Sequence, residues 1–360
     1  MKILPSLTFL QQKQKSQMGL AHKSKKAKTD DTLVLEISGG DEMEELDQMY
    51  QSAVDLLSTD PPGALLLLRG CIHECDKMLR IRHGDIPNAT DEERKLLAES
   101  VKKTPVLPSH FHVIYANSLF LSGEVDTGNS GDFFNATVER AEIGLEAFPE
   151  NDELRLCLAR ALLNKATGYD EYAVRCEGIL KEISRSGPTP LLFELLHYHT
   201  SFGEAVLTDD SKFSKWMERA TEILNAVECN CENPYQVLLG LANCYASLGE
   251  RACTRQDTDD FNEPLAIKYR KATIVNLEKC QDFVDESNEL QNMVDLGEAY
   301  TNLAILIDDD DQENADALDL YSKAMKLFNR VAEVDPDMLP AEIVEFLNPW
   351  NEDLVSAVGQ

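Results

Sequence analysis

Apolar residues recur at helical spacing along most of this chain. A spacing of i, i+3, i+4 and i+7 places them on one face of an amphipathic helix, the side that packs against a core. The segment that begins at Asp41 is typical, and Pro61-Pro62 then fits the first turn of a helix that runs to about His83. The apolar face of the first segment consists of Met43, Leu46, Met49, Tyr50, Ala53 and Leu57.

The helical pattern resumes after a polar loop between residues 84 and 108. A helix around Ala116 comes first, and a second helix covers Asp132–Phe148. No stretch alternates apolar and polar residues between hairpin turns as a strand would, so the sequence predicts an all-α protein. Further helices are predicted at 152–166, 169–185, 190–207, 211–228, 233–253, 263–284, 287–307 and 313–334, with short helices after Pro336.

Two helix pairs carry a tetratricopeptide signature. Leu238–Gly249 and Met293–Leu303 reproduce the pattern of a first repeat helix, 55 residues apart. Ala324–Pro336 matches the second repeat helix, and Thr137–Pro149 matches it more faintly. Small residues in these patterns let paired helices approach closely. The sequence therefore predicts a tetratricopeptide-like α-solenoid of long antiparallel helical hairpins. The small residues are Ala242, Gly297 and Ala324.

Composition suggests three segments. Residues 1–40 read as a disordered basic tail with a nuclear-import signal, because they are polar and rich in lysine. Residues 41–230 are expected to form an N-terminal helical-repeat half, and residues 231–360 a C-terminal tetratricopeptide-like half. A seam is expected within 205–235, and the pattern leaves open whether one superhelix or two packed halves form.

Charge is unevenly distributed between the tail and the body. The chain has 34 basic and 64 acidic residues, and residues 1–29 hold seven lysines and no acidic residue. The remainder thus carries 27 basic and 64 acidic residues, a net charge of −37. Such a body repels phosphate backbones, so no direct nucleic-acid partner is expected. A basic partner surface and simple solubility are two open explanations of this acidity.

Cysteine and histidine motifs do not predict a metal site. In Cys71-x-His73-x-Cys75, the two cysteines share a helix face while the histidine lies about 200° around from each. Nine sparse cysteines are unlike a secreted disulfide scaffold and indicate a reducing compartment. The cysteines of this motif are expected to pack as small core hydrophobes.

Other polar clusters also lack the spacing that chemistry requires. His197-x-His199 fails by the same helical geometry, and His110-x-His112 is expected to begin a helix without a nearby carboxylate partner. Asp308–Asp311 resembles a calcium loop in charge only, since the central glycine and the twelfth-position glutamate are missing. We expect no enzyme, no cofactor and no metal. No apolar run approaches the roughly 20 residues of a membrane helix, so no membrane partner is expected.

A short basic cluster in the tail suits the acidic groove of an import receptor. It predicts a nuclear protein, with a cytoplasmic pool left open. Met1–Leu10 has no cleavage site for a signal peptidase, and a mitochondrial presequence is the minor alternative because acidic residues are absent. The import cluster consists of Lys23, Lys25, Lys26 and Lys28.

Three stretches resemble signatures of the enhancer-of-translation-termination family of fungi, which includes the fission-yeast negative regulator of a prolyl-hydroxylase-like 2-oxoglutarate oxygenase. They are Cys71–Arg80, Phe133–Pro149 and Met293–Asp311. The resemblance spans about residues 18–347, because Met18-Gly-Leu and the lysines after it resemble the family's basic start. Residues 1–17 look like an extension, and whether the native protein contains them is open.

The resemblance implies a non-enzymatic nuclear adaptor. It also implies roles in translation termination and in hypoxic gene expression, the second through binding of an Fe(II)/2-oxoglutarate oxygenase. The expected partners are such an oxygenase, a ribosome- or termination-associated factor, or both, together with an import receptor. A generic tetratricopeptide cochaperone or assembly scaffold is the alternative, although gripping acidic tails requires a basic groove.

Exposed polar residues within two of the resembling stretches are weak candidates for partner binding. Asp76 and Arg80 lie four residues apart, so they are also candidates for a simple ion pair along the helix. The same reservation applies to the neighbouring residues Glu139 and Arg140. The six candidates are His73, Glu74, Asp76, Arg80, Glu139 and Arg140.

Overall fold

A computed structural model describes residues 28–29, 32–33, 42–82, 107–228, 231, 233–254, 261–308, 314–341 and 343–344. Within these ranges the fold is all-α, as the sequence predicts, with two-residue strands β1 (Lys28–Thr29) and β2 (Thr32–Leu33) pairing antiparallel in the tail. Contacts divide the chain into two compact units, Met1–Ile183 and Ser184–Gln360.

The first unit contains six of the helices. Consecutive helices pack side by side as antiparallel hairpins, and α3 also contacts α5, the first helix of the next hairpin. This is the stacking of a helical-repeat protein, in which each hairpin buries its apolar face against its neighbours. The helices are α1 (Glu42–Leu56), α2 (Pro61–Arg82), α3 (Ser109–Val125), α4 (Ser130–Ala147), α5 (Asp152–Lys165) and α6 (Glu171–Ile183).

The core of the first unit explains why these segments are helical. Leu46, Cys71 and Phe111 of successive helices are all buried in one apolar cluster. Asn151 begins α5 by accepting a hydrogen bond from the Leu154 backbone N–H at 2.9 Å, the role of an N-cap. Apolar periodicity and local capping therefore determine these helices together.

The second unit repeats the arrangement with six more helices. Neighbouring helices pack in sequence, and α7 also contacts α9. Short 3₁₀ turns occur at Ser184–Ser186 and Pro336–Met338. The helices are α7 (Pro190–Val206), α8 (Asp210–Glu228), α9 (Tyr235–Cys253), α10 (Glu263–Cys280), α11 (Glu289–Ile307) and α12 (Ala315–Val334).

Close helix approach occurs where the repeat signature places small residues. A Cβ atom added to Gly297 would lie 2.7 Å from Cζ of Phe328, so α11 and α12 meet at this glycine. Ala242 and Ala324 are buried in the same apolar cluster. The predicted tetratricopeptide-like hairpin packing is confirmed here.

The compact units divide at 183/184, earlier than the seam expected within 205–235. The halves 41–230 and 231–360 are defined by repeat pattern, which this division does not test, and they stay a prediction. Most of the basic tail lies outside the described residues. Among the described helices, none is long and apolar enough to cross a membrane.

Candidate partner-binding site

The six candidate residues lie on α2 and α4 of the first unit. Asp76 does not pair with Arg80 along α2, because its Oδ1 accepts a hydrogen bond from the Tyr115 hydroxyl of α3. Arg80 is exposed at the end of α2 and has no ion pair with a described residue. Among the described residues, the contact of Asp76 is therefore with Tyr115 and not with Arg80.

Tyr115 lies at the centre of the contacts between α2, α3 and α4, although it was not among the residues predicted from the sequence. Its side chain is buried, and the Arg140 guanidinium of α4 lies 4.9 Å from the ring centroid. Burial raises the pKa of the Tyr115 hydroxyl, and the hydrogen bond to Asp76 raises it further. A neutral tyrosine thus joins a carboxylate of one hairpin to a cation of the next.

The other candidates are ordinary surface residues. Glu74 forms an ion pair with Lys77 at 2.8 Å, one turn along α2. That pair is partly exposed to solvent and contributes little stability. His73 and Glu139 are both exposed. The structure brings Asp76 and Arg140 together around Tyr115, and it leaves His73, Glu74 and Glu139 apart from them.

The cysteines and the histidine of the Cys71-x-His73-x-Cys75 motif lie on different sides of α2, as helical spacing predicts. Cys71 and Cys75 are fully buried, whereas His73 points to the surface. Burial raises the pKa of the Cys71 thiol to about 12, and it also raises the pKa of Cys75. Both thiols are protonated at neutral pH and act as core hydrophobes. Among the described residues, no three potential metal ligands converge.

One of the two histidine pairs has a different environment from the one expected. His110 does have a carboxylate partner, since its Nε2 lies 2.8 Å from Oδ1 of Asp47, which is 63 residues away in sequence. Both side chains are about half exposed, so this is a surface contact. His197 is exposed and His199 is fully buried, which confirms that the two do not share a site.

A buried arginine ties α3 to α5. Arg160 lies 4.2 Å above the Phe120 ring, and its Nη2 donates to Oδ1 of Asn117 at 3.1 Å. Burial raises the pKa of Glu124 nearby, and the positive charge of Arg160 opposes that change. Arg160 interrupts the otherwise apolar run Leu156–Leu163, and this position in the sequence was the available signal for a buried charge. Its role is to hold stacked hairpins together.

The import cluster is mostly outside the described residues. Lys23, Lys25 and Lys26 lie there, whereas Lys28 is part of β1. Its function stays a prediction.

Several curated proteins named Enhancer of translation termination 1 are similar to this chain. The Debaryomyces hansenii protein is 30% identical over 41% of this chain and 37% of its own length. The Yarrowia lipolytica protein is 24% identical over 82% of both chains. The chain's match thus spans well under half of the first of these relatives.

Solved structures share the fold. A Schizosaccharomyces pombe nuclear import adaptor, Nro1, superimposes with a TM-score of 0.54 at 19% identity, over 86% of this chain and 99% of that one. A second Nro1 structure, described as a hypoxic regulator of sterol synthesis and nuclear import adaptor, gives a TM-score of 0.53 at 18% identity, over 86% of this chain and 93% of that one.

A family model described as nuclear pore complex subunit Nro1 matches residues 8–228, more than half of the chain. The match begins at residue 8, within residues 1–17, which look like an extension in the sequence analysis. A nuclear family agrees with the basic tail and confirms the predicted nuclear localisation. Together with the relatives, the match confirms the resemblance found in the sequence, and this chain belongs to the Nro1 family.

Proposed function

We propose that this chain is a non-enzymatic nuclear import adaptor, which binds a protein cargo and an import receptor at the same time. The family match over residues 8–228 is the observation that carries the proposal. Stacked helical hairpins offer a large exposed surface for holding another macromolecule. The basic tail supplies the element that an import receptor would bind.

The proposed cargo is an Fe(II)/2-oxoglutarate oxygenase, a translation-termination factor, or both. The names of the relatives support the termination role, and the description of one solved structure as a hypoxic regulator supports a role in hypoxic gene expression. Binding of an oxygenase is the way in which the family resemblance implies that this second role is carried out. Neither role requires chemistry from this chain. In keeping with a binding role, Cys71 and Cys75 have raised thiol pKa values and sit inside the core rather than in a reactive setting.

The proposed contact surface is formed by the C-terminal end of α2 and the middle of α4. Arg80 is exposed there, and Arg140 is partly exposed above the Tyr115 ring. Arginine is favoured at protein interfaces because its planar guanidinium binds carboxylates and stacks on aromatic rings. Both side chains carry a positive charge in a body of net charge −37, which suits them to bind an acidic group of a partner.

Affinity purification from cells of the source organism tests the proposal. Tagged wild type is expected to recover an oxygenase or a termination factor, and the double variant Arg80→Glu/Arg140→Glu is expected to lose it. Lys271→Glu/Lys326→Glu is the matched control, since it makes the same charge change at two exposed helix positions of the second unit. Depletion of the chain is expected to move the recovered cargo from the nucleus to the cytoplasm.

One result would contradict the proposed surface, and another would contradict the adaptor role. Recovery of the same partners by the arginine variant and the wild type would remove the proposed surface. Recovery of chaperones with acidic tails, with no change in any cargo's location on depletion, would favour the cochaperone alternative.

A further inference from the structure

Positive charge is almost absent from the first helix of each hairpin in the second unit. These helices are α7, α9 and α11, and Arg251 of α9 is the only lysine or arginine in the three of them. Its guanidinium lies 2.8 Å from Oδ1 of Asp210. The second helices α8, α10 and α12 carry three, four and three lysines or arginines. In the first unit, by contrast, α5 alone carries Arg155, Arg160 and Lys165.

Equivalent polar residues of α9 and α11 lie on one side of the repeat. The repeat signature relates the two helices by 55 residues, which pairs Gln236 with Gln291 and Asn243 with Glu298. Within each helix the polar residues are three, four or seven positions apart, so they form one line along it. All of them are at least partly exposed. They are named here the α9–α11 face: Gln236, Asn243, Ser247, Gln291, Asp295 and Glu298.

The two lines of the α9–α11 face are adjacent. Ala242 of α9 and Met293 of α11 are buried in the same apolar cluster, so the two helices are neighbours. Burial raises the pKa of the Tyr235 hydroxyl at the start of α9, and the negative charge of Asp295 is among the groups that raise it further. Asp295 of α11 therefore lies close to α9.

The cations that pack against these two helices lie on their opposite side. A Cβ atom at Gly249 of α9 would lie 3.1 Å from Cδ of Arg270, and Lys323 lies over the Tyr300 ring of α11, 5.8 Å from its centroid. Gly249 and Tyr300 each come two residues after a member of the face. Two residues correspond to about 200° around a helix, so these cations do not neutralise the carboxylates of the face.

Two acceptor groups on α11 lack a strong donor. Gln291 donates a hydrogen bond to Oδ1 of Asp295 at 2.8 Å, and no described lysine or arginine forms an ion pair with that carboxylate. Asn292, one turn before Asp295, is 1% exposed, and its Oδ1 has no hydrogen-bond partner among the described residues. A buried acceptor without a donor is costly, so this part of the face suits a ligand that carries N–H groups.

We propose that the α9–α11 face binds an extended, lysine-rich segment of the cargo protein. This inference rests on the proposed adaptor function, since it names the class of segment that the adaptor recognises. The amides of Gln236 and Asn243 donate to and accept from an extended peptide backbone. The carboxylates of Asp295 and Glu298 bind the ammonium groups of lysine side chains. The same carboxylates repel nucleic acids and acidic tails, which leaves a basic peptide as the complementary partner.

Peptide binding to the purified full-length chain tests the proposal. The probe is a fluorescently labelled peptide of about 12 residues that alternates lysine with serine, and anisotropy measures its binding. Wild type is expected to bind it, and added salt is expected to weaken binding because the contact is electrostatic. Asp295→Asn/Glu298→Gln keeps the shape of both side chains and is expected to lower the affinity at least about fivefold, because two ion pairs are lost.

A variant that strengthens binding makes the test independent of folding defects. Asn243→Asp adds a carboxylate to the exposed part of the face and is expected to raise the affinity about twofold, which a damaged fold would not do. Asp316→Asn/Glu333→Gln is the matched control for the double variant, because it removes the same two charges from exposed positions of α12. The control is expected to keep wild-type affinity, and circular dichroism checks the fold of each variant.

Three results would overturn the proposal. Equal binding by wild type and Asp295→Asn/Glu298→Gln would show that the face is not the site. An equal loss in the α12 control would show that net charge alone attracts the peptide. Tighter binding of a peptide with glutamate in place of lysine would contradict the chemistry of the partner.

The basic tail of the chain itself is the rival occupant, and its lysines provide the comparison. Lys25→Ala/Lys26→Ala is expected to leave the affinity for the lysine peptide unchanged. Binding that becomes several-fold tighter in this variant would show that the tail competes for the face, and it would overturn the cargo as the occupant.

These measurements are independent of nuclear transport. Peptide binding that depends on the α9–α11 face would stand even if depletion of the chain left every cargo in place, a result that would remove only the import role. Cargo import that survives Asp295→Asn/Glu298→Gln would retain the adaptor role and remove the face.

Discussion

His199 is a buried imidazole that its surroundings hold neutral. Its ring is stacked on Trp216, with centroids 3.8 Å apart and planes 6° from parallel. Nε2 lies 3.0 Å from the Trp216 carbonyl oxygen, so this nitrogen carries the proton and donates it. Nδ1 is buried without a hydrogen-bond partner among the described residues. A second proton on Nδ1 would place a charge where nothing accepts it, and burial therefore lowers the pKa of His199 to about 4.

This environment predicts a loss of stability in mild acid. The folded pKa of about 4 is below the ordinary value of about 6.5, so the unfolded chain binds an extra proton between these values. The stabilisation is complete above pH 6.5 and declines as the pH falls toward 4. Linkage gives a loss of about 2 kcal/mol between pH 7 and pH 5 from this residue alone.

Urea unfolding at pH 7 and pH 5, followed by Trp216 fluorescence in a Trp350→Phe background, measures this effect. His199→Phe is expected to reduce the pH dependence by about 2 kcal/mol, because phenylalanine fills the site without titrating. His197→Phe is the control, since that histidine is exposed two residues away. Equal pH dependence in the wild type and His199→Phe would show that another group is responsible.

At the scale of helices, a tyrosine–carboxylate hydrogen bond joins stacked hairpins in both units. Tyr115 of α3 donates to Asp76 of α2, and Tyr300 of α11 donates to Glu278 of α10 at 2.6 Å. In each case a cation of the following helix lies over the ring, Arg140 in the first unit and Lys323 in the second. The two units thus use the same type of contact to position one hairpin against the next.

Removal of either tyrosine hydroxyl is expected to destabilise its unit. Tyr115→Phe leaves the half-buried Asp76 carboxylate without its donor, and Tyr300→Phe removes the hydrogen bond to the exposed Glu278, so each is expected to cost about 0.5–1.5 kcal/mol. Tyr245→Phe is the matched control, because Tyr245 occupies the repeat position of Tyr300 and its hydroxyl has no hydrogen bond to a described residue. Urea denaturation compares the three, and equal stability of Tyr300→Phe and Tyr245→Phe would contradict the role of the hydrogen bond.

The helix approach at Gly297 makes a second prediction at this scale. An alanine there would place its Cβ 2.7 Å from Cζ of Phe328, a ring that is 1% exposed and has little room to move. Overpacking of this kind costs about 1–3 kcal/mol. Gly178→Ala on α6 is the contrasting variant, since nothing lies within 4 Å of the added Cβ. That change is expected to stabilise by about 0.5–1 kcal/mol through helix propensity, and thermal unfolding distinguishes the two signs.

The sequence predicted the helices well because each one has a buried face and a local boundary signal. Asn151, for example, caps the helix that the apolar pattern places after it. Contacts between hairpins were not predictable in the same way. Tyr115 and Asp76 are 39 residues apart, and His110 and Asp47 are 63 apart. Whether they come into contact depends on the position of one hairpin along the next. Loop length and core packing determine that position, and the helical periodicity of the sequence does not indicate it.

At the scale of the whole molecule, the separation of charge suits an adaptor. Seven lysines in residues 1–29 precede a body of net charge −37. The net negative charge of the body disfavours nucleic acids, and the tail lysines are expected to attract acidic receptor surfaces, so the proposed adaptor would bind its receptor and its cargo through separate parts of the chain.

This separation predicts that nuclear accumulation depends on the tail lysines and not on total charge. Lys25→Ala/Lys26→Ala is expected to leave a fluorescently tagged full-length chain largely in the cytoplasm, because an import receptor recognises adjacent basic side chains. A reporter fused to residues 1–40 is expected to enter the nucleus unaided. Quantitative imaging of the nuclear-to-cytoplasmic ratio measures both.

Lys271→Ala/Lys326→Ala removes the same charge from exposed helix positions of the body, so it separates loss of the signal from loss of charge. If both double variants reduced accumulation equally, net charge would be the cause and the tail would carry no specific signal. If neither did, the chain would have to enter by another route, for example together with its cargo. Only selective loss in the tail variant is consistent with a receptor that binds the tail while the helical body holds the cargo.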